Sequence, residues 1–206
     1  MIINKKPILI KHNQQKCDTL FETIKVQEGK VFNLEYHQKR VDNAYKNFYN
    51  KEPQLNLKSV INPLENGLYR CKVIYNQNGL VSVDFFKYKK KEIKSIMLIE
   101  NSDFNYSFKY TNREFFESLY NIYRNTDEFI ITKEGYLQDF TIGNIALYHS
   151  KKKQWHTPSK PLLFGTTLMR YIDRKKLQLK DIHYTNLENY SKIALLNAMV
   201  DFYIIG

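Results

Sequence analysis

Apolar side chains at Leu20, Phe21, Ile24 and Val26 make residues 19–26 a strand-like run, which a turn at Gly29 separates from a second strand at 31–34. Leu34, Val41, Ala44, Tyr45 and Phe48 then recur near helical spacing over 35–48. That helix sets His37 and Arg40, three positions apart, close together on its surface. Pro53 stops it, a second helix opens near Asn56, and Gly67 marks the turn into an alternating strand at 68–75. Asn78-Gly79 has the composition of a tight hairpin turn leading to a partner strand at 80–88. The first half therefore predicts a small α/β unit with antiparallel pairing.

A charged stretch at 89–94 precedes a strand at 95–100, and residues 101–106 read as a linker. The expected organisation is a small N-terminal α/β domain over 1–100 and a larger C-terminal domain over 107–206. In the second part the pattern predicts a helix at 112–124 and strands at 128–132, 136–139, 145–150 and 154–157, with Lys133-Glu134-Gly135 as a turn. Pro158 and Pro161 bracket a loop that reaches Gly165-Thr166-Thr167, from which a helix runs to about Leu177. A further helix at 187–192 and a strand at 193–197 complete the prediction.

With 206 residues, 43% of them hydrophobic and 15% aromatic, the chain can build packed cores without staples. Cys17 and Cys71 show neither CxxC spacing nor a surrounding ligand cluster, so they read as free thiols in a reducing compartment, and no metal site is expected. Lys5, Lys6 and Lys11 hem in the short apolar patch of the first sixteen residues, and no small-residue cleavage site follows, so no export signal is inferred. No apolar run approaches the roughly 20 residues of a membrane span, and the expected location is the cytoplasm. A formal charge of +11 raises the reading of another class, a basic nucleic-acid-binding protein without a cofactor. The basic residues, however, are dispersed through 87–94, 151–153 and 174–180 without the aromatic interleaving of a nucleic-acid module, which favours a scattered, solvated surface.

Five groups of residues carry candidate chemistry, each beside a blander reading. Gly165-Thr166-Thr167 at a helix start could cradle a phosphate with unsatisfied amides, or could be an ordinary cap. Arg40 could grip a phosphate through two parallel hydrogen bonds, or form a surface pair with His37. Asp139, ending a strand among apolar neighbours, could face a protonated ring nitrogen or merely close a turn. Lys109, between aromatic residues, could be a snorkelling surface lysine or, in an apolar or cation-lined pocket, a neutral amine able to attack an aldehyde. Arg70 and Lys72 flank Cys71 on one strand and so share a face, where they could meet substrate carboxylates or simply be solvated.

Taken in order, these pieces resemble the class IV aminotransferase and lyase family of pyridoxal 5′-phosphate (PLP) enzymes. Leu20-Phe21-Glu22-Thr23-Ile24 followed by His37-Gln-Lys-Arg40 resembles its N-terminal strands and phosphate-binding arginine. Lys109-Tyr-Thr-Asn112-Arg113 resembles its lysine motif, and the segment from Asp127 through Asp139 to Asn144 resembles the strand pair that sets an acid on the pyridine nitrogen. Thr157-Pro158 with Gly165-Thr166-Thr167-Leu-Met-Arg170 resembles its phosphate cup, and Asn197-Ala198-Met199 its C-terminal Asn-Ala-Leu. The resemblance spans residues 20–199. It departs where Asp139 replaces the family's usual Glu, and in a chain shorter than typical members.

The resemblance implies a mixed α/β, two-domain fold of the D-amino-acid-aminotransferase type (fold type IV), with a mixed-sheet, barrel-like core in the C-terminal domain. It implies Lys109 as the catalytic amine that holds the PLP aldehyde, and Arg40, Asp139, Asn144, Gly165, Thr166 and Thr167 as cofactor-binding residues. Thr23, Arg70 and Lys72 become candidate contacts for a small amino substrate carrying a carboxylate. It also implies a homodimer. Lys-x-x-Asn-Arg, the Phe21-x-Thr23 element and Glu114, where branched-chain members carry a tyrosine, favour the branch that includes 4-amino-4-deoxychorismate lyases. Transamination by an amino-acid aminotransferase is the alternative.

Overall fold

The computed structural model describes residues 2–11 and 17–206; Met1 and residues 12–16, which the leader reading also used, lie outside the described residues. In chain order the elements are β1 (Ile8–Leu9), β2 (Leu20–Gln27), β3 (Lys30–Val31), α1 (Leu34–Ala44), α2 (Leu57–Val60), β4 (Leu68–Asn76), β5 (Gly79–Lys87), β6 (Ile96–Glu100), α3 (Glu114–Ile122) and β7 (Glu128–Lys133). They continue as β8 (Tyr136–Phe140), β9 (Gly143–His149), β10 (Gln154–Pro158), α4 (Thr166–Asp173), β11 (Gln178–Lys180), β12 (Tyr190–Asn197) and β13 (Asp201–Ile205). The described residues within Gln15–Lys90 and Phe108–Asn112 form one compact unit, and those within Met1–Gln14, Lys91–Ser107 and Arg113–Gly206 form another.

The smaller unit is an antiparallel sheet in the order β3-β2-β4-β5. Its period-2 pattern is clear in β4, where Cys71, Val73 and Tyr75 are buried and their neighbours are not. These side chains meet Leu20, Ile24 and Val26 of β2 and Val41, Ala44 and Tyr45 of the helical segment in one core. A π-helical turn, Tyr45–Tyr49, extends α1. Helix α1 begins at Leu34, so the strand expected over 31–34 reduces to the two residues of β3.

The larger unit holds a nine-stranded mixed sheet, ordered β1-β6-β7-β8-β9-β10-β11, with β12 pairing β9 and β13 pairing β12. β6 and β7 run parallel and are buried along nearly their whole length, as strands covered on both faces must be. The pairs β7–β8, β8–β9, β9–β10, β9–β12 and β12–β13 are antiparallel. Among the described residues, no helix is long and apolar enough to cross a membrane.

Three expectations need correcting here. The helix expected over 187–192 is a short 3₁₀ helix, Tyr184–Asn189, capped by the His183 side chain, after which Tyr190 already pairs with β9. The helix from Thr166 ends at Asp173 rather than near Leu177, because Lys175 enters the left-handed region at φ 54°. The chain is also not divided by a single cut at 101–106. β1 pairs with β6, while residues near Lys109 return to β2, with the Phe21 amide donating to the Lys109 carbonyl at 2.9 Å and the Thr111 amide to the Thr19 carbonyl at 3.0 Å.

Candidate active site

The expected site residues fall into two groups, one in each unit. In the smaller unit, Leu20, Glu22, Ile24 and Val26 share the core face of β2, so Glu22 is a carboxylate placed where apolar side chains belong, with 0% of its surface exposed. A buried charge needs partners, and α1 supplies two. Arg40 donates through Nε to Oε1 at 2.8 Å and through Nη2 to Oε2 at 2.6 Å, while His37 Nδ1 lies 2.5 Å from Oε2. Burial by itself would raise the Glu22 carboxyl, but the Arg40 charge and the His37 hydrogen bond outweigh it and bring it down to about 2. His37 is held below its ordinary value, first by burial and then by the positive charges of Arg40 and Lys109, against the pull of Glu22. A neutral His37 beside an ionised Glu22 must carry its proton on Nδ1 and donate it.

The opposite face of the same sheet carries the cations. Phe21, Thr23 and Lys25 on β2 register against Ile74, Lys72 and Arg70 on β4. Lys109 Nζ stands over the Phe21 ring, 4.6 Å from its centroid, and Lys72 Nζ lies 5.4 Å from the same ring. Arg70 stacks on Phe86 at 4.9 Å. Arg70 and Lys72 thus share a face, as expected of these two, and Thr23 and Lys25 lie on it with them, which the sequence pattern did not announce. Glu22 was also given no role, although a charge in the apolar phase of a strand, followed by His-x-x-Arg, is a readable signal for a buried ion pair.

In the larger unit Asp139 and Asn144 are cross-strand partners at the closed end of the β8–β9 hairpin. Asp139 is 4% exposed; its Oδ1 accepts from Asn144 Nδ2 at 2.7 Å and its Oδ2 from the Leu163 amide at 2.9 Å. Asn144 also donates to the Leu163 carbonyl at 2.7 Å and accepts from the Gly165 amide at 3.2 Å. Asp139, Asn144 and Gly165 are therefore brought together by one bonded set. A Cβ on Gly165 would sit 2.1 Å from Asn144 Oδ1, so a residue without a side chain is required there.

Gly165 is followed directly by α4, whose first two residues, Thr166 and Thr167, are buried and whose N-terminus has no side-chain cap. The first-turn amides of a helix have no partner within it, and the helix dipole favours an anion at that end. An uncapped helix start beside a glycine cradle, with a buried carboxylate next to it, fits a ligand that bears both a phosphate and a protonated ring nitrogen. Arg170 of the same helix, buried, bonds Asp201 through Nη2.

The chain belongs to a known enzyme family: the model for Amino-transferase class IV matches residues 19–205. An uncharacterized protein of Haemophilus influenzae is 33% identical over 185 residues, covering 87% of this chain and 97% of that one. The crystal structure of a "putative 4-amino-4-deoxychorismate lyase" from Haemophilus somnus superposes with a TM-score of 0.77 at 30% identity, over 91% of this chain and 98% of that one. The PLP-bound form of a hypothetical aminotransferase from Mycobacterium tuberculosis shares the fold at 14% identity, with a TM-score of 0.75, over 91% of this chain and 80% of the other. The mixed α/β fold of type IV is thereby established, and membership of the family implies PLP as cofactor.

Proposed function

We propose that the chain is a PLP-dependent 4-amino-4-deoxychorismate lyase, which releases pyruvate and 4-aminobenzoate for folate synthesis, working as a cytoplasmic homodimer. The observation that carries this reading is the cationic face of the smaller unit, where Lys109 and Lys72 flank one aromatic ring and Arg70 lies on the same side of the sheet. That arrangement suits a substrate with an amine and more than one carboxylate. The name given to the Haemophilus somnus protein, at 30% identity over nearly its whole length, supports the same choice. Both cysteines being free thiols accords with the cytoplasm.

Lys109 would hold the cofactor aldehyde, Asp139 its ring nitrogen, and the α4 start with Arg40 its phosphate. When bound, the cofactor supplies an electron sink for the carbon that bears the substrate amine. Lys109 Nζ then removes the proton from that carbon and returns it to the methylene of the departing enolpyruvyl group, so that the ring carbon–oxygen bond breaks and the ring becomes aromatic. Asn144 fixes the Asp139 carboxylate in orientation, and Arg70, Lys72 and Thr23 orient the substrate carboxylates.

Purified protein mixed with PLP should show an absorbance band near the visible edge that is lost in Lys109→Ala. Holoprotein given 4-amino-4-deoxychorismate should form pyruvate; a keto acid acceptor converted to an amino acid, with no pyruvate formed, would refute the lyase assignment in favour of transamination. A basic nucleic-acid binder without cofactor would give no band and would bind nucleic acid equally well as Lys109→Ala. Light scattering on the holoprotein tests the dimer.

A further inference from the structure

The larger unit buries a second carboxyl that the proposed chemistry does not use. Glu128, the first residue of β7, is 0% exposed, and its hydrogen bonds converge on Oε1. That oxygen accepts from the Phe129 amide at 2.9 Å, the Tyr120 hydroxyl at 2.9 Å, the Thr141 amide at 3.3 Å and the Thr141 hydroxyl. Oε2 is buried with no hydrogen-bond partner. Leaving one oxygen of a buried carboxyl unpaired costs stability, and an apolar side chain would serve a purely structural site better. Such a residue marks a place where geometry matters more than stability.

What Glu128 holds is the turn that carries the ring-facing pair. Asp139 and Asn144 register opposite one another, Phe140 pairs with Gly143, and only Thr141 and Ile142 close the hairpin. Any tilt of those two residues swings both polar side chains. The turn is gripped from several sides: Arg113 Nη2 donates to the Thr141 carbonyl at 2.8 Å, the Thr141 amide also reaches the Phe129 carbonyl at 3.2 Å, and Asn197 Nδ2 donates to the Ile142 carbonyl at 3.2 Å. Gly143 packs so closely on β12 that a Cβ would lie 2.4 Å from the Leu196 carbonyl oxygen. Glu128 and Tyr120 complete this grip at the Thr141 side chain, whose hydroxyl lies 2.7 Å from that of Tyr120.

We propose that Glu128 is a positioning residue for Asp139 and Asn144, acting through its hydrogen bonds to Thr141 at the tip of the β8–β9 hairpin. The proposal rests on the reading that Asp139 meets the cofactor ring nitrogen. Burial biases Glu128 towards its neutral form, opposed by the Thr141 hydroxyl, the Phe129 amide, Lys91 and Tyr120, so glutamine is its conservative replacement.

The test compares wild type with Glu128→Gln, Glu128→Leu, Thr141→Val and the double substitution Glu128→Leu with Thr141→Val. Three readouts are taken: the PLP dissociation constant by absorbance titration, the thermal midpoint, and hydrogen–deuterium exchange of residues 139–144 in the cofactor-free protein. Glu128→Gln should match wild type. Glu128→Leu and Thr141→Val should each weaken PLP binding about tenfold and speed exchange in the hairpin. The double substitution should be no worse than either alone, because both cut the same link. Wild-type PLP affinity and hairpin exchange in Thr141→Val would overturn the proposal, even if Glu128→Leu failed to fold. Variants that lower the thermal midpoint while leaving cofactor affinity intact would likewise reduce Glu128 to a structural residue and overturn it. Wild-type protein that never takes up PLP would instead sink the functional reading, and this inference with it.

Discussion

Acidification should unfold this protein in two legs that trace to one buried cluster. His37 sits below its ordinary value in the folded state because burial resists its charging and Arg40 and Lys109 add repulsion. The folded protein therefore takes up this proton less readily than the unfolded chain, and stability falls as pH drops below the ordinary histidine value of about 6.5. Glu22 is also lowered, from an ordinary glutamate value of about 4.3 to about 2, so its contribution is complete above the ordinary value and is lost as pH falls towards about 2. That difference corresponds to about 3 kcal/mol at roughly 1.36 kcal/mol per pH unit, a large share of the 5–15 kcal/mol typical of a whole domain. Urea unfolding followed by circular dichroism from about pH 7 to about pH 2.5 measures both legs. Glu22→Gln should be less stable by about 3–5 kcal/mol at neutral pH, because Arg40 loses its carboxylate, and its lower leg should be nearly flat. Arg40→Met gives a second reading. Without the guanidinium the largest influence that lowers Glu22 is gone, so the lower leg should shrink. An unchanged lower leg in both variants would refute the assignment of acid sensitivity to this pair.

Three further outcomes follow from the larger unit. Asp139→Asn turns one acceptor oxygen into an amide NH2 that only donates, so the side chain can no longer accept from both Asn144 and the Leu163 amide; it should cost about 1–3 kcal/mol in denaturant and reduce turnover about 100-fold as the ring loses its counter-charge, and turnover within a factor of about two of wild type would argue against the ring contact. Gly165→Ala forces a Cβ to 2.1 Å from Asn144 Oδ1, an atom whose amide is tied to Asp139 and Leu163 and cannot swing away, and should lower both PLP affinity and the thermal midpoint. Gly135→Ala, at φ +77° with the His183 ring 2.1 Å from the new Cβ, should destabilise by about 1–3 kcal/mol without altering cofactor binding, which titration would show.

How much of this was legible depended on the physical reason for each element. β4 alternates buried and less buried side chains, and its hairpin turns at Gln77-Asn78, one position before the expected Asn78-Gly79, because Gly79 already pairs with Asn76. β6 and β7 are buried on both faces and show an apolar run rather than a period, and their lengths and flanking turns were enough to find them. β11, three exposed residues, has no pattern to read; it exists because it pairs in parallel with β10. Residues 187–192 mix a 3₁₀ turn with the start of β12, and tertiary pairing with β9 overrides the helical spacing. The return of Lys109 to β2 is likewise a long-range backbone pairing that no local signal announces.

Within the site, residue types and order carried more than periodicity, and Arg40 shows where that stops. An arginine can grip an anion through two parallel hydrogen bonds, and that was the expectation for a phosphate. The structure instead directs that fork, Nε together with Nη2, at Glu22. Both nitrogens of that edge bond one carboxylate of the same unit, so the two-pronged grip expected for a phosphate is made with Glu22. Glu22, itself bonded to His37, fixes the direction of the Arg40 side chain. A carboxylate that looks like a misplaced charge in the strand pattern becomes the anchor that makes this arginine rigid.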